Sequence, residues 1–153
     1  MKLYLLRHGD ADSRANDFER PLSEKGREVT QRLARFLKPL KIEVAAIWTS
    51  PLVRARETAE IIEPVIKPRE GLSEQEGLRP EDPVKPLRRQ IEKQAGDLLL
   101  VGHMPHLARL ADLLLTGEES AGLIDFPKSG LLCLEHDGSW FIRWFLVPKI
   151  LPD

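Results

Sequence analysis

Apolar residues along this chain alternate between two spacings. Lys2 to Leu6, Val44 to Trp48 and Asp97 to Val101 are short, nearly continuous apolar runs bounded by turn residues, the pattern of strands buried on both faces of a parallel sheet. Between them the spacing lengthens to three and four. Val29, Leu33, Phe36, Leu37 and Leu40 follow Ser23, which reads as a helix N-cap. Gly26 lies early in that helix and points to close packing there. Ala55, Ala59 and Ile62 follow Ser50-Pro51, with serine as the cap and proline at the first helical position; this helix is expected to stop before Pro64. A third helix starts at Asp82-Pro83 and turns Val84, Leu87 and Ile91 inward, with Pro86 in its first turn. A fourth follows Pro105, carries Leu107, Leu110, Ala111 and Leu114, and closes at Gly117. Ile66 to Pro80 reads as loop with room for a short strand, and Glu118 to Lys128 as a polar connection. Leu131 to His136, an Asp137-Gly138 turn and Trp140 to Val147 read as an antiparallel hairpin, because a two-residue turn cannot join parallel strands. The alternation predicts an α/β fold, a three-layer sandwich whose mixed, mainly parallel sheet is flanked by helices, in a single domain over residues 1–153.

Composition narrows the function classes. At 153 residues the chain can bury one sizeable core, and 42% hydrophobic with 31% charged residues is ordinary for a globular protein. A formal net charge of −1 and no block of like charges give no support for a nucleic-acid partner. No apolar stretch approaches the roughly 20 residues that span a bilayer, so no membrane partner is expected. Arg7 and Asp10 interrupt the first hydrophobic run, unlike a signal segment. The single Cys133 reads as a small core residue in a reducing compartment, and the expected location is cytoplasmic.

Three of the predicted strands end on reactive side chains. Arg7-His8-Gly9 follows the first, Ser50-Pro51-Leu52-Val53-Arg54 the second, and Gly102-His103 the run ending at Val101. In a parallel sheet these ends share the carboxyl edge, where ligands bind. Gly9 lets backbone approach a ligand closely, and Arg7 offers a planar fork suited to phosphate. Arg54 falls in the first turn of its helix, where the macrodipole disfavours a cation. An anion at the same helix start would reverse that penalty and use the free N–H groups. Singly these are a charged strand end, a solvated arginine and a buried histidine; four at one edge make a phosphate site. His106, one turn after His103, is a candidate for its rim, and His136 at the hairpin turn reads as solvated.

Leu6-Arg7-His8-Gly9, Ser50-Pro51-Leu52-Val53-Arg54-Ala55 with Thr58-Ala59, and Val101-Gly102-His103-Met104-Pro105 resemble the histidine phosphatase superfamily, with its phosphoglycerate-mutase-like fold. The resemblance spans the chain and is specific only jointly. Arg7-His8-Gly9-Asp10-Ala11 and Arg20-Pro21-Leu22-Ser23 with Gly26 are similar to the small phosphohistidine phosphatases of the SixA type. Mutases and many metabolite phosphatases continue the first motif with Glu-Thr or Gln-Ser and a later asparagine; here stand Asp10-Ala11 and Arg14. The resemblance implies that His8 is transiently phosphorylated and that water then releases phosphate. Arg7 and Arg54 would keep His8 neutral and stabilise the equatorial oxygens of the transferring group. His103 would donate to those oxygens, and Arg20 could reach them from the first loop. No cofactor or metal is expected, since carboxylates are not patterned around His8 or His103. Glu76 lies near where relatives place an acidic residue; a solvated loop carboxylate is the other reading. A phosphohistidine substrate needs an enzyme acid least, because its imidazole leaving group can already be protonated. The expected partner is a phosphorylated protein, such as a histidine-phosphorylated signalling or phosphocarrier domain. The alternative is a small phosphate ester.

Overall fold

The computed structural model describes Met1 to Asp153. In chain order the elements are β1 (Lys2–Arg7), α1 (Glu24–Leu37), β2 (Ala46–Thr49), α2 (Val53–Ile66), β3 (Leu72–Glu74), α3 (Val84–Glu92), β4 (Leu98–Gly102), α4 (His106–Thr116), β5 (Leu131–His136) and β6 (Trp140–Leu146). The six strands form one sheet in the order β3-β2-β4-β1-β5-β6. β3, β2, β4 and β1 run parallel, while β5 is antiparallel to β1 and β6 to β5. The expected mixed, mainly parallel sheet is present, as is the short strand that loop 66–80 left room for. No helix is long and apolar enough to cross a membrane.

Alternation along β1 divides the interior. Leu3 and Leu5 join Leu98 and Leu100 beneath α3 and α4, which supply Leu87, Ile91, Leu107 and Leu110. Tyr4 and Leu6 join Leu99, Val101 and Cys133 beneath α1 and α2, which supply Leu33, Leu37, Ala55, Ala59 and Ile62. Helices on both faces explain why these strands are apolar throughout. Cys133 is a free, buried thiol whose burial pushes its pKa up to about 11.

Ser23 caps α1 as expected, its hydroxyl accepting from the Gly26 N–H at 2.9 Å. A Cβ at Gly26 would collide with the Asp10 carbonyl oxygen, so glycine there lets α1 lie directly on the segment leaving β1.

Several boundaries differ from the expectation. Ser50 is not the cap of α2; Leu52 occupies that position, and the Val53 N–H donates to the Phe18 carbonyl at 3.1 Å. A loop carbonyl thus takes the first helical N–H, while the Ser50 hydroxyl accepts only from the Leu52 N–H just before the helix. α2 also continues through Pro64 to Ile66. The proline deprives only the exposed Glu60 of a helical bond. Buried Ile62 and Ile66 hold the last turn, and the left-handed Lys67 closes it with its N–H on the Glu63 carbonyl. β2 begins at Ala46 rather than Val44, although Val44 is buried. The hairpin loop is one residue longer than expected: His136 pairs with Trp140 across Asp137-Gly138-Ser139, with Gly138 at φ +80°.

Candidate active site

The carboxyl ends of β1, β2 and β4 lie side by side. Arg7 is in register with Gly102, the His8 N–H donates to the Gly102 carbonyl at 3.0 Å, and the Ser50 N–H donates to the Val101 carbonyl at 3.2 Å. Three segments remote in sequence are therefore fixed against one another by main-chain bonds before any side chain is considered.

His8 is 7% exposed, and its Nδ1 lies 2.6 Å from the Gly9 carbonyl oxygen. A carbonyl only accepts, so Nδ1 carries the proton and Nε2 is left with its lone pair. Gly9 is fixed in turn. Its N–H donates to Thr58 Oγ1 at 3.0 Å, and Thr58 Oγ1 donates to the Arg54 carbonyl. A Cβ on Gly9 would press on Thr30 Oγ1 at 2.8 Å. The close approach that glycine permits is thus to Thr30 and Gly26 of α1 rather than to a ligand, and the Gly9 N–H is engaged by Thr58.

The other groups surround this imidazole. The His103 ring centroid is 5.0 Å from that of His8, and the His103 Nε2 is 2.6 Å from Ser50 Oγ. Arg54 is buried, with Nη1 donating to the Asp17 carbonyl at 2.6 Å and Nη2 at 3.5 Å from the Asp17 carboxylate. Arg7 donates through Nη1 to the Phe126 carbonyl at 2.7 Å. Arg7 Nε and His103 Nδ1 are buried without a protein partner. Two orphan nitrogens beside a neutral imidazole and two guanidinium groups match an oxyanion, whose lone pairs satisfy donors that protein groups do not reach.

Electrostatics follow from burial and cations. The His8 pKa is pushed down to about 4, first by burial and then by Arg54, Arg7 and Lys128, against the opposing Gly9 bond. Burial outweighs the arginines that the sequence pointed to. Burial, with His8 and Arg54 next, holds His103 well below the ordinary imidazole range. His106 is not on the rim. It is fully buried at the start of α4, and burial lowers its pKa as well.

These shifts set a stability expectation. The unfolded chain takes up protons on histidine below about pH 6.5, whereas folded His8 takes one up only near pH 4. Between those values the unfolded state binds more protons, so stability rises with pH and is lost as pH falls. Thermal melts from pH 7 to pH 5 should show a falling Tm, with a ceiling of about 1.4 kcal/mol per pH unit for each such histidine. A Tm unchanged across that range would contradict the buried neutral imidazoles.

The remaining candidates lie farther out. Arg20 donates through Nε to the Asp12 carbonyl at 3.2 Å, and its Nη1 shares the Asp17 carboxylate with Arg54. Glu76 is exposed on the loop after β3. His136 is exposed beside Trp140. Loop 12–21 is tied at its base by the Ala11–Leu22 bridge, and through Asp17 and Phe18 it contacts the start of α2. This loop supplies part of the anion role expected at that helix start. Sequence reasoning did not find Asp17, Thr58 or Lys128. Thr58 lies inside a quoted motif, but nothing local marks Lys128, which pairs with Asp10 at 2.6 Å. Concavity is no guide either: a cavity of about 500 Å³ lies at the far end of α2, among Lys41, Ile42, Lys67 and Arg69.

Residues 3–95 match the histidine phosphatase superfamily (branch 1). An uncharacterized protein of Picosynechococcus is 36% identical over 142 residues, covering 88% of this chain and 84% of that one. Phosphohistidine phosphatase SixA of Escherichia coli is 24% identical, covering 97% and 94%. Among solved structures, protein histidine phosphatase SixA complexed with tungstate superposes with a TM-score of 0.86 at 26% identity, covering 97% of this chain and 98% of that one. A phosphoserine phosphatase of Entamoeba histolytica shares the fold, with a TM-score of 0.70 at 16% identity and coverage of 94% and 95%.

Proposed function

The chain belongs to the histidine phosphatase superfamily and is a phosphatase; on that premise we propose that it hydrolyses phosphohistidine on a protein, through a phosphorylated His8. The observation that carries the reading is the nearly end-to-end likeness to the tungstate-bound protein histidine phosphatase, which superposes over 97% of this chain and 98% of its own. The local chemistry supports it. His8 Nε2 attacks phosphorus in line, the phosphorus–nitrogen bond of the substrate breaks, and the substrate imidazole leaves with its own proton. Water then attacks the phosphoenzyme, restoring His8 and releasing phosphate. Arg7, Arg54 and His103 stabilise the equatorial oxygens, where positioning and charge supply most of the catalysis. Arg20 stands at the entrance, beside the carboxylate that also pairs with Arg54. The partner in this reading is a histidine-phosphorylated signalling or phosphocarrier domain, and the buried Cys133 thiol fits a reducing compartment such as the cytoplasm.

A second reading, a phosphomonoesterase for a small metabolite, is favoured by the place of Glu76, which follows β3 at the same edge of the sheet. Leaving-group chemistry separates the two. Purified protein, assayed in chelator, should release phosphate from a phosphohistidine protein and from p-nitrophenyl phosphate, and only poorly from glycerol phosphate, whose alkoxide needs a proton donor. Glu76→Gln should retain most of the first two activities. Efficient glycerol phosphate hydrolysis that Glu76→Gln removes selectively would establish the metabolite reading instead. Chelation should change none of these rates.

A further inference from the structure

Ser50 is fully buried, and its backbone is pinned to β4 by the 3.2 Å bond from its N–H to the Val101 carbonyl. The hydroxyl is thereby fixed 2.6 Å from His103 Nε2. It also accepts from the Leu52 N–H at 3.3 Å. Its one proton must then be donated, and His103 Nε2 is the acceptor that the structure places within reach. We propose that Ser50 is a positioning residue: by donating to Nε2 it holds His103 as the Nδ1–H tautomer and presents the otherwise unpartnered Nδ1–H to the phosphoryl oxygens. The opposite tautomer would leave two hydrogens opposed between Oγ and Nε2, or strand the hydroxyl proton without an acceptor. It would also turn the bare Nδ1 lone pair toward an anion. The inference rests on the phosphoryl-transfer reading of this pocket for its consequence, but the tautomer itself is independent of any substrate.

The groups facing His103 are His8 and Arg7 from β1 and its exit, Arg54 from α2 and His106 from α4. None of them bonds to its Nε2, which leaves Ser50 alone to set the tautomer. The test uses the full chain with ¹⁵N-labelled histidine, free and with vanadate. Long-range proton–nitrogen spectra should show His103 protonated at Nδ1 in the wild-type protein. In Ser50→Ala that preference should be lost, and kcat on p-nitrophenyl phosphate should fall about tenfold with a smaller change in KM. Ser50→Thr keeps the hydroxyl and should restore both the tautomer and most of kcat. A wild-type spectrum with the proton on Nε2 overturns the proposal, and it does so whether or not Ser50→Ala folds. A folded Ser50→Ala that keeps the Nδ1–H tautomer and the wild-type kcat overturns it equally. A failure of the phosphohistidine reading would appear elsewhere, as absent turnover of the phosphohistidine protein with the His103 spectrum unchanged.

Discussion

His8→Ala should abolish turnover of every phosphate substrate, with a loss in kcat on the order of 10⁴-fold or more, as when a nucleophile is removed. The reason is geometric. His8 has a free ring nitrogen because its other nitrogen is committed to the Gly9 carbonyl. The neighbouring His103 has its Nε2 engaged by Ser50, and His106 is sealed beneath the surface. Neither can substitute as the attacking group. Rapid quench into alkaline denaturant, in which a phosphorus–nitrogen bond survives, should trap a labelled enzyme from radiolabelled substrate in the wild type and none in the variant. Label retained in His8→Ala would assign the covalent step to another residue.

Arg54→Ala should be nearly as severe, lowering kcat by about 10²–10³-fold and weakening inhibition by vanadate or tungstate. Arg54 is buried, and its positive charge also helps hold His8 neutral. Its loss removes a charge-assisted donor and, through Asp17, a tether of loop 12–21. Arg54→Lys should not rescue it, because an ammonium cannot reproduce the planar fork. Vanadate inhibition unchanged in Arg54→Ala would remove Arg54 from the anion site.

Legibility in the sequence followed the range of the interaction. Lys2 to Leu6 and Asp97 to Val101 could be read as buried strands because Leu3 to Leu6 and Leu98 to Val101 pack alternately into the apolar clusters on the two faces of the sheet. Their exits carry His8 and His103. Gly26 could be read as a contact point because only close packing explains glycine in a first helical turn. Ser50 was legible as a cap by residue type, yet its hydroxyl serves His103, a partner just past the end of β4 and remote in sequence. The extension of α2 past Pro64 depended on burial of Ile62 and Ile66, which local propensity does not contain. Asp17 and Lys128 act through contacts across the fold, with Arg54 and Asp10, and residue type alone does not reveal such partners.

β1 is central in the sheet, and its neighbours come late. Leu3 is paired with Leu98 on one side and with Leu134 on the other. The strand that leads into His8 therefore precedes both of its sheet neighbours in the chain and is flanked only once both have formed. Until β4 has formed, β1 has neither of its neighbours, and until β5 has formed it is open on one side, so the histidine at its exit has no complete pocket around it. In refolding, such non-local parallel pairing is slow, because the chain must close long loops before the contacts repay the cost. Recovery of catalysis thus reports insertion of the central strand, a late event, whereas helical signal can return before it.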